Sequence, residues 1–217
     1  MQISIREPGS AITHFVAMIA TIGASIPLLL KAASVGFMPL LAMFIFIMSM
    51  ILLYGASATY HSVILPDSII KIFRKLDHSM IFVLIAGSYT PVCMIVLGGK
   101  IGYKLLAIVW AVALLGIAIK FLWITCPKWF SSIIYIAMGW ICAFYMSAIM
   151  HAITWPAFSW LLAGGVIYTL GGIIYALKLP IFNARHKYFG SHEIFHLFVM
   201  GGSFCHFIFM YQYVIGI

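Results

Sequence analysis

Charged side chains are scarce in this sequence. Asp, Glu, Lys and Arg make up 7% of its 217 residues, and only four of these residues are acidic, whereas a soluble globular domain carries about 25% charged residues. Apolar residues make up 65% of the chain, which excludes a disordered protein, because disorder requires low hydrophobicity. The same composition excludes a soluble globular protein and a nucleic-acid-binding protein. We therefore expect an integral membrane protein with no nucleic-acid partner.

Cysteine pairs are also lacking. The four cysteines are Cys93, Cys126, Cys142 and Cys205, no two of them form a C-x-x-C pair, and three lie inside apolar runs. Neither a disulfide framework nor a thiolate zinc site is indicated. We expect buried free thiols.

Long apolar runs dominate what is present. A helix that crosses a bilayer needs about 20 mostly apolar residues, and seven stretches meet this requirement. The predicted spans are residues 11–30, 37–60, 76–97, 105–123, 130–150, 157–177 and 191–213. No repeat of fixed period and no linker interrupts them, so residues 1–217 are predicted to form one all-α domain, a seven-helix transmembrane bundle. Gly164 with Gly171, and Gly165 with Gly172, offer a smooth helix face for close packing, and Pro91 is expected to bend the third helix.

The formal net charge of +8 is interpreted as loop charge that sets orientation, since Lys and Arg accumulate on the cytoplasmic side. One set of alternate loops holds nine cations, and the opposite set holds three. The larger set is Arg6, Lys71, Arg74, Lys75, Lys120, Lys128, Lys178, Arg185 and Lys187, and the smaller set is Lys31, Lys100 and Lys104. This asymmetry predicts a cytoplasmic N-terminus and a C-terminus outside.

Polar residues from three predicted helices are expected at one cytoplasmic depth, where ionisable groups are costly and usually mark a site. His192 and His196 lie one helical turn apart, and His61 ends the second span. Three imidazoles with water in a fourth position form an open zinc site of the catalytic type. The alternative is three satisfied structural histidines.

Two further residues belong to this predicted site. Asp77, enclosed in apolar sequence, is expected to orient or deprotonate a zinc-bound water, or to replace it as a ligand. Ser57, one turn before His61, is expected to donate a hydrogen bond to that water or to a developing oxyanion.

Residues 192–196 also read H-E-x-x-H, in which the glutamate of a metalloprotease is the general base. Glu193 lies about 100° around the helix from His192, so a solvent-facing carboxylate is the other interpretation. Glu7 and His14 are expected to line the site entrance, to cap a helix or to form a surface ion pair. His206 is expected to hydrogen-bond a neighbouring helix or to line a cavity. His78, His151 and His186 are assigned to the surface or to packing.

Taken in order, several segments resemble the bacterial hemolysin III branch of the progestin and adipoQ receptor family, which is related more distantly to the alkaline ceramidases. The matching segments are Arg6-Glu7-Pro8 with His14, Ser57 to His61, Leu76 to Ser79, Ala86 to Pro91, and Ser191 to His196 followed by His206. The resemblance implies a bacterial inner-membrane protein with zinc near the cytoplasmic face, His61, His192 and His196 as ligands, Asp77 holding the water, and Ser57 as the nearby hydroxyl. Receptor members tend to have Gln where Glu193 stands, which favours Asp77 as the base.

Three functional hypotheses follow. The first is a zinc-dependent hydrolase that acts on an amide or ester bond of a lipid entering from the bilayer, as the ceramidase relatives suggest. The second is a non-catalytic membrane sensor in which zinc staples the helices together. The third is a cytolysin that permeabilises membranes, although a polytopic chain is expected to insert in the membrane of its own cell.

Overall fold

The computed structural model describes residues 5–177 and 189–217. Across these ranges seven helical segments are long and apolar enough to cross a membrane, and the rest of the described chain forms no strand. The predicted all-α architecture with seven spans is therefore confirmed. The described residues do not include three cations of the predicted cytoplasmic set or one of the histidines assigned to the surface or to packing: Lys178, Arg185, Lys187 and His186.

Eight α-helices build the seven spans, because the fifth span is divided. The helices are α1 (Pro8–Val35), α2 (Phe37–Ser62), α3 (Asp67–Pro91), α4 (Gly99–Leu122), α5 (Lys128–Gly139), α6 (Met146–Ala152), α7 (Trp155–Leu177) and α8 (Ser191–Phe209). A π-helical turn, Val92–Leu97, extends α3, and another, Met210–Val214, extends α8. The 3-10 segment Trp140–Tyr145 joins α5 to α6.

The third helix begins earlier than the apolar run that predicts it. It starts at Asp67, and the cations Lys71, Arg74 and Lys75, which the sequence argument placed in a loop, lie on its first turns. The negative charge of Asp67 in the first turn stabilises the helix, because it interacts favourably with the positive end of the helix dipole. The apolar run therefore marks the part of α3 inside the bilayer, whereas the helix itself continues beyond it.

The helices form a closed bundle. Contacts follow the order α4, α3, α2, α1, α8, α7 and α5, and α5 also contacts α3 and α4. The third span is the most enclosed of the seven. Large side chains such as Phe46, Tyr54 and Phe82 fill the interior, while the outer surface carries exposed apolar side chains such as Leu30, Leu115 and Phe144. An apolar exterior is the surface that lipid tails require.

Glycines allow the close approach of α7 and α8. A Cβ atom at Gly164 would overlap the His206 ring, and one at Gly171 would come within 2.7 Å of Phe198 Cβ. Of the other predicted pair, a Cβ atom at Gly172 would come within 3.2 Å of the Ile136 side chain of α5, and one at Gly165 would meet no atom within 4 Å. Gly164 and Gly171 thus form the close-packing face.

Candidate metal centre

Three histidines meet where α2 ends and α8 begins. His61 lies in the last turn of α2, and His192 and His196 lie in the first turns of α8. Each offers one ring nitrogen, and these three nitrogens lie within 4.8 Å of one another. We call His61, His192 and His196 the histidine cluster. The structure brings these predicted residues together in a group that can hold a metal ion.

The rings of His61 and His192 are oriented so that their Nε2 atoms lie close together. The Nε2 atoms of His61 and His192 are 3.3 Å apart, and the His192 and His196 ring centroids are 4.5 Å apart. Nδ1 of His61 donates a hydrogen bond to the Glu7 carboxylate. A neutral imidazole has one N–H and one lone pair, so this bond leaves the lone pair of His61 on Nε2, facing His192.

Glu7 is the carboxylate that contacts His61 at this end of the bundle. Its hydrogen bond with the His61 ring lowers the pKa of the Glu7 carboxyl below its usual value, and Arg6, with Nε 3.6 Å from the carboxylate, acts in the same direction. The carboxylate is therefore ionised at neutral pH. The Glu7 carboxylate thus contacts the site and also forms an ion pair with Arg6, whereas it makes no capping hydrogen bond to α1.

A cavity of about 170 Å³ lies against the histidine cluster. His192 and His196 line it, together with Ser57, Asp77 and His206. His206 follows His196 by ten residues of α8, which is roughly 15 Å along the helix axis. The cavity therefore extends from the cluster toward the middle of the bundle, and most of its remaining wall is apolar.

Asp77 and Ser57 are both buried, with 8% and 1% of their surfaces exposed. The Ser57 hydroxyl makes no hydrogen bond of ordinary geometry among the described residues, and the Asp77 carboxyl lies close enough to interact with it. A buried polar group without a well-formed hydrogen bond is costly, and here it borders a cavity. Asp77 does not belong to the histidine cluster, and its carboxyl lies on the wall of the same cavity.

Glu193 is engaged elsewhere. The Ser10 hydroxyl donates a hydrogen bond to Oε1, and the Gly190 N–H donates to Oε2 at 2.8 Å. The carboxylate thus accepts a free N–H at the beginning of α8, which is a capping role. It is not part of the histidine cluster.

Three further histidines line the cavity, and the sequence made only two of them candidates for the site. His78, assigned to the surface or to packing, lines the cavity, and its Nε2 lies 3.4 Å from the Tyr175 hydroxyl. His78 directly follows Asp77 on α3. Because α3 contacts α2, α4 and α5, His78 also faces protein. His14 and His206 line the cavity as well, and His151 is exposed.

Comparisons with known proteins extend over nearly the whole chain. The family described as haemolysin-III related matches residues 3–207. The chain is 38% identical over 212 residues to Hemolysin-3 of Bacillus cereus, covering 97% of this chain and 92% of that protein. It is 36% identical over 199 residues to the Hemolysin-3 homolog of Bacillus subtilis (strain 168), covering 91% and 89%.

A more distant similarity reaches a receptor. The chain is 25% identical over 222 residues to the adiponectin receptor protein of Drosophila melanogaster, covering 93% of this chain and 49% of that protein. These similarities confirm the family resemblance seen in the motifs. Together with the seven apolar helices, they identify a multi-pass protein of a bacterial cell membrane.

Proposed function

The chain belongs to the haemolysin-III-related family, and on that premise we propose that it is a zinc-dependent hydrolase that cleaves an amide or ester bond of a membrane lipid. One observation carries the proposal. The histidine cluster lies against a largely apolar cavity whose wall also holds a buried carboxyl, Asp77, and a buried hydroxyl, Ser57, that interacts with it.

The donor set supports zinc. Two nitrogens that each bind a tetrahedral zinc ion at about 2.0–2.1 Å lie roughly 3.3–3.4 Å apart. The Nε2 atoms of His61 and His192 are 3.3 Å apart. Imidazoles suit zinc, and three protein ligands leave the fourth position open, as in catalytic sites.

Asp77 and Ser57 have different roles in the proposed reaction. When bound, zinc supplies Lewis acidity, which polarises a carbonyl group and lowers the pKa of water toward about 7. The Asp77 carboxylate accepts the proton of the attacking water and passes it to the nitrogen or oxygen of the leaving group, so that one residue is base and then acid. The Ser57 hydroxyl donates a hydrogen bond to the carbonyl oxygen as negative charge develops there.

The cavity supports a lipid as substrate. An apolar wall excludes water from the reacting bond and favours an acyl chain over a peptide or a sugar. The alkaline ceramidases, to which the motifs show a distant resemblance, act on N-acyl lipids, so an amide is the first bond to test and an ester is the second.

The test begins with metal. Purified protein is expected to contain about one zinc ion per chain, and the His192→Ala variant is expected to lose it while the exposed His151→Ala control retains it. Mass spectrometry of metal and of fatty acid released from a panel of N-acyl lipids and glycerol esters gives the two measurements. Absence of metal from the wild-type protein would refute the proposal. Zinc retained without turnover on the whole panel would favour the non-catalytic staple.

A second candidate follows from the names of the relatives, Hemolysin-3 and Hemolysin-3 homolog. A cytolysin would release dye from liposomes at low protein concentration, and the His192→Ala variant would release as much as the wild type. Leakage that requires the histidine cluster, or no leakage, leaves the hydrolase as the better account.

A further inference from the structure

The beginning of α1 carries four side chains on neighbouring positions that all face the histidine cluster or its helices. These residues are Glu7, Ser10, Thr13 and His14, and we call them the N-terminal face. Residues three and four apart share one side of a helix. This explains why one short segment contacts both α2 and α8.

The N-terminal face contacts two ligand candidates at their Nδ1 atoms. Glu7 accepts a hydrogen bond from Nδ1 of His61. Thr13 Oγ1 lies 3.1 Å from Nδ1 of His196, and the same hydroxyl donates to the carbonyl oxygens of Gly9 and Ser10. When the single hydroxyl proton is directed to either carbonyl, the Thr13 oxygen accepts from the Nδ1–H tautomer of His196.

The effect on both rings is the same. A hydrogen bond from Nδ1–H fixes the tautomer and leaves the lone pair on Nε2, where a metal ion binds. His14 adds a steric constraint, since its ring stacks on His196 with centroids 3.6 Å apart and planes 8° apart. The His196 ring is therefore held both in its plane and at one edge.

The backbone also ties the segment to both helices. The N–H of Glu7 donates to the carbonyl oxygen of His61 at 3.0 Å, so the segment satisfies a free acceptor at the end of α2. On the other side, Ser10 donates to Glu193 at the beginning of α8. The start of α1 thus connects the two helix ends that supply the ligands.

We propose that the N-terminal face is the outer shell of the metal centre, in which Glu7 and Thr13 are positioning residues that orient His61 and His196 for metal binding. The inference rests on the proposed metal site and not on hydrolysis. Losing such a partner typically weakens metal binding about 10- to 100-fold.

The test compares full-length variants at one matched pair of threonines. Thr13 and Thr21 both lie on α1, and the Thr21 hydroxyl donates to the Ala17 carbonyl at 2.8 Å without contacting the cluster. Thr13→Val and Thr21→Val each remove a hydroxyl that bonds the helix backbone, so a purely structural role would affect both alike. Thr13→Ser keeps the hydroxyl. Glu7→Leu removes the acceptor, and Glu7→Gln keeps an acceptor oxygen.

Two readouts are measured: zinc affinity by competition with a chelator, and the visible absorption of the Co²⁺-loaded protein, which reports ligand geometry. Thr13→Val and Glu7→Leu are expected to bind zinc about 10- to 100-fold more weakly with a shifted Co²⁺ spectrum. Thr13→Ser, Glu7→Gln and Thr21→Val are expected to stay close to the wild type.

Unchanged affinity and spectrum in Thr13→Val and Glu7→Leu would overturn the inference, as would equal losses in Thr13→Val and Thr21→Val. A wild type that binds neither ion overturns both the inference and the proposed metal site. Zinc binding that follows the expected order without any lipid hydrolysis would refute the proposed hydrolase alone.

Discussion

A histidine inside an apolar helix is costly until both ring nitrogens have partners. His61 meets this requirement on one side through Glu7 and turns its other nitrogen toward His192. Among the described residues, Nδ1 of His192 and both ring nitrogens of His14 have no hydrogen-bond partner. The ring nitrogens without a partner therefore lie close to the histidine cluster and its cavity, where a cation, water or substrate can bind them.

Asp77→Asn is expected to retain the metal ion and to lose turnover by a factor of about 10²–10⁴, because an amide cannot accept the proton that the proposed base removes. The control is Asp67→Asn, which alters an exposed carboxylate in the first turn of α3. Metal content and fatty-acid release from the same preparation separate the two effects. Full activity in Asp77→Asn would remove Asp77 from the mechanism.

Glu193→Gln is expected to keep both metal and turnover, because an amide oxygen can still accept the N–H of Gly190. Glu193→Ala removes the acceptor and is expected to lower stability by about 0.5–2 kcal/mol, the usual effect of a lost cap. Thermal unfolding in detergent and lipid hydrolysis measure the two quantities. Metal retained with turnover abolished in Glu193→Gln would instead assign Glu193 the base role that the H-E-x-x-H pattern suggests.

At the scale of an element, the fifth span shows how one hydroxyl changes a helix. Tyr89 of α3 donates to the Gly139 carbonyl at 2.6 Å and accepts from the Cys142 N–H at 2.9 Å. The hydroxyl thus takes the place of backbone partners at the point where α5 becomes the 3-10 segment. A side chain inserted in the hydrogen-bond ladder is a known cause of helix distortion.

Tyr89→Phe is expected to lower the free energy of unfolding by about 1–3 kcal/mol, because the Cys142 N–H loses its acceptor inside the bundle and the Gly139 carbonyl loses its hydroxyl donor. Tyr103→Phe removes a hydroxyl from an exposed side chain of α4 and is the matched control. Thermal unfolding of both variants in the same detergent gives the comparison. Equal stability of the two variants would show that the span can re-form its backbone bonds without Tyr89.

For the whole molecule, run length alone predicts the seven spans, because bilayer thickness imposes it on any helix that crosses. Residue spacing and helix direction predict that His61, His192 and His196 meet. The break in the fifth span was not predictable, since it depends on Tyr89, which is distant in sequence. The contact of Thr13 with His196 was not predictable either, because it requires the angle at which α1 crosses α8. Only packing supplies that angle.

The orientation in the membrane remains a prediction, and one pair of substitutions tests it. Ser68→Cys and Lys100→Cys place a thiol at exposed positions on opposite ends of the third span. With a cytoplasmic N-terminus, a membrane-impermeant maleimide is expected to label Lys100→Cys in intact cells and Ser68→Cys only after lysis. The unaltered protein is the control, because Cys93, Cys126 and Cys205 are buried and Cys142 is half-buried. The reverse labelling pattern would place the histidine cluster on the outer side.

The distance between the ligands along the chain has a consequence for biosynthesis. His61 and His192 are 131 residues apart, so six spans have been synthesised before His192 is added to the chain. Glu7 and His61 emerge together in the first two helices and can pair at once, which shields the lone imidazole while translation continues. If the histidine cluster binds the proposed ion, its capture is the last event of maturation, because a chain that stops before its final helix lacks His192 and His196.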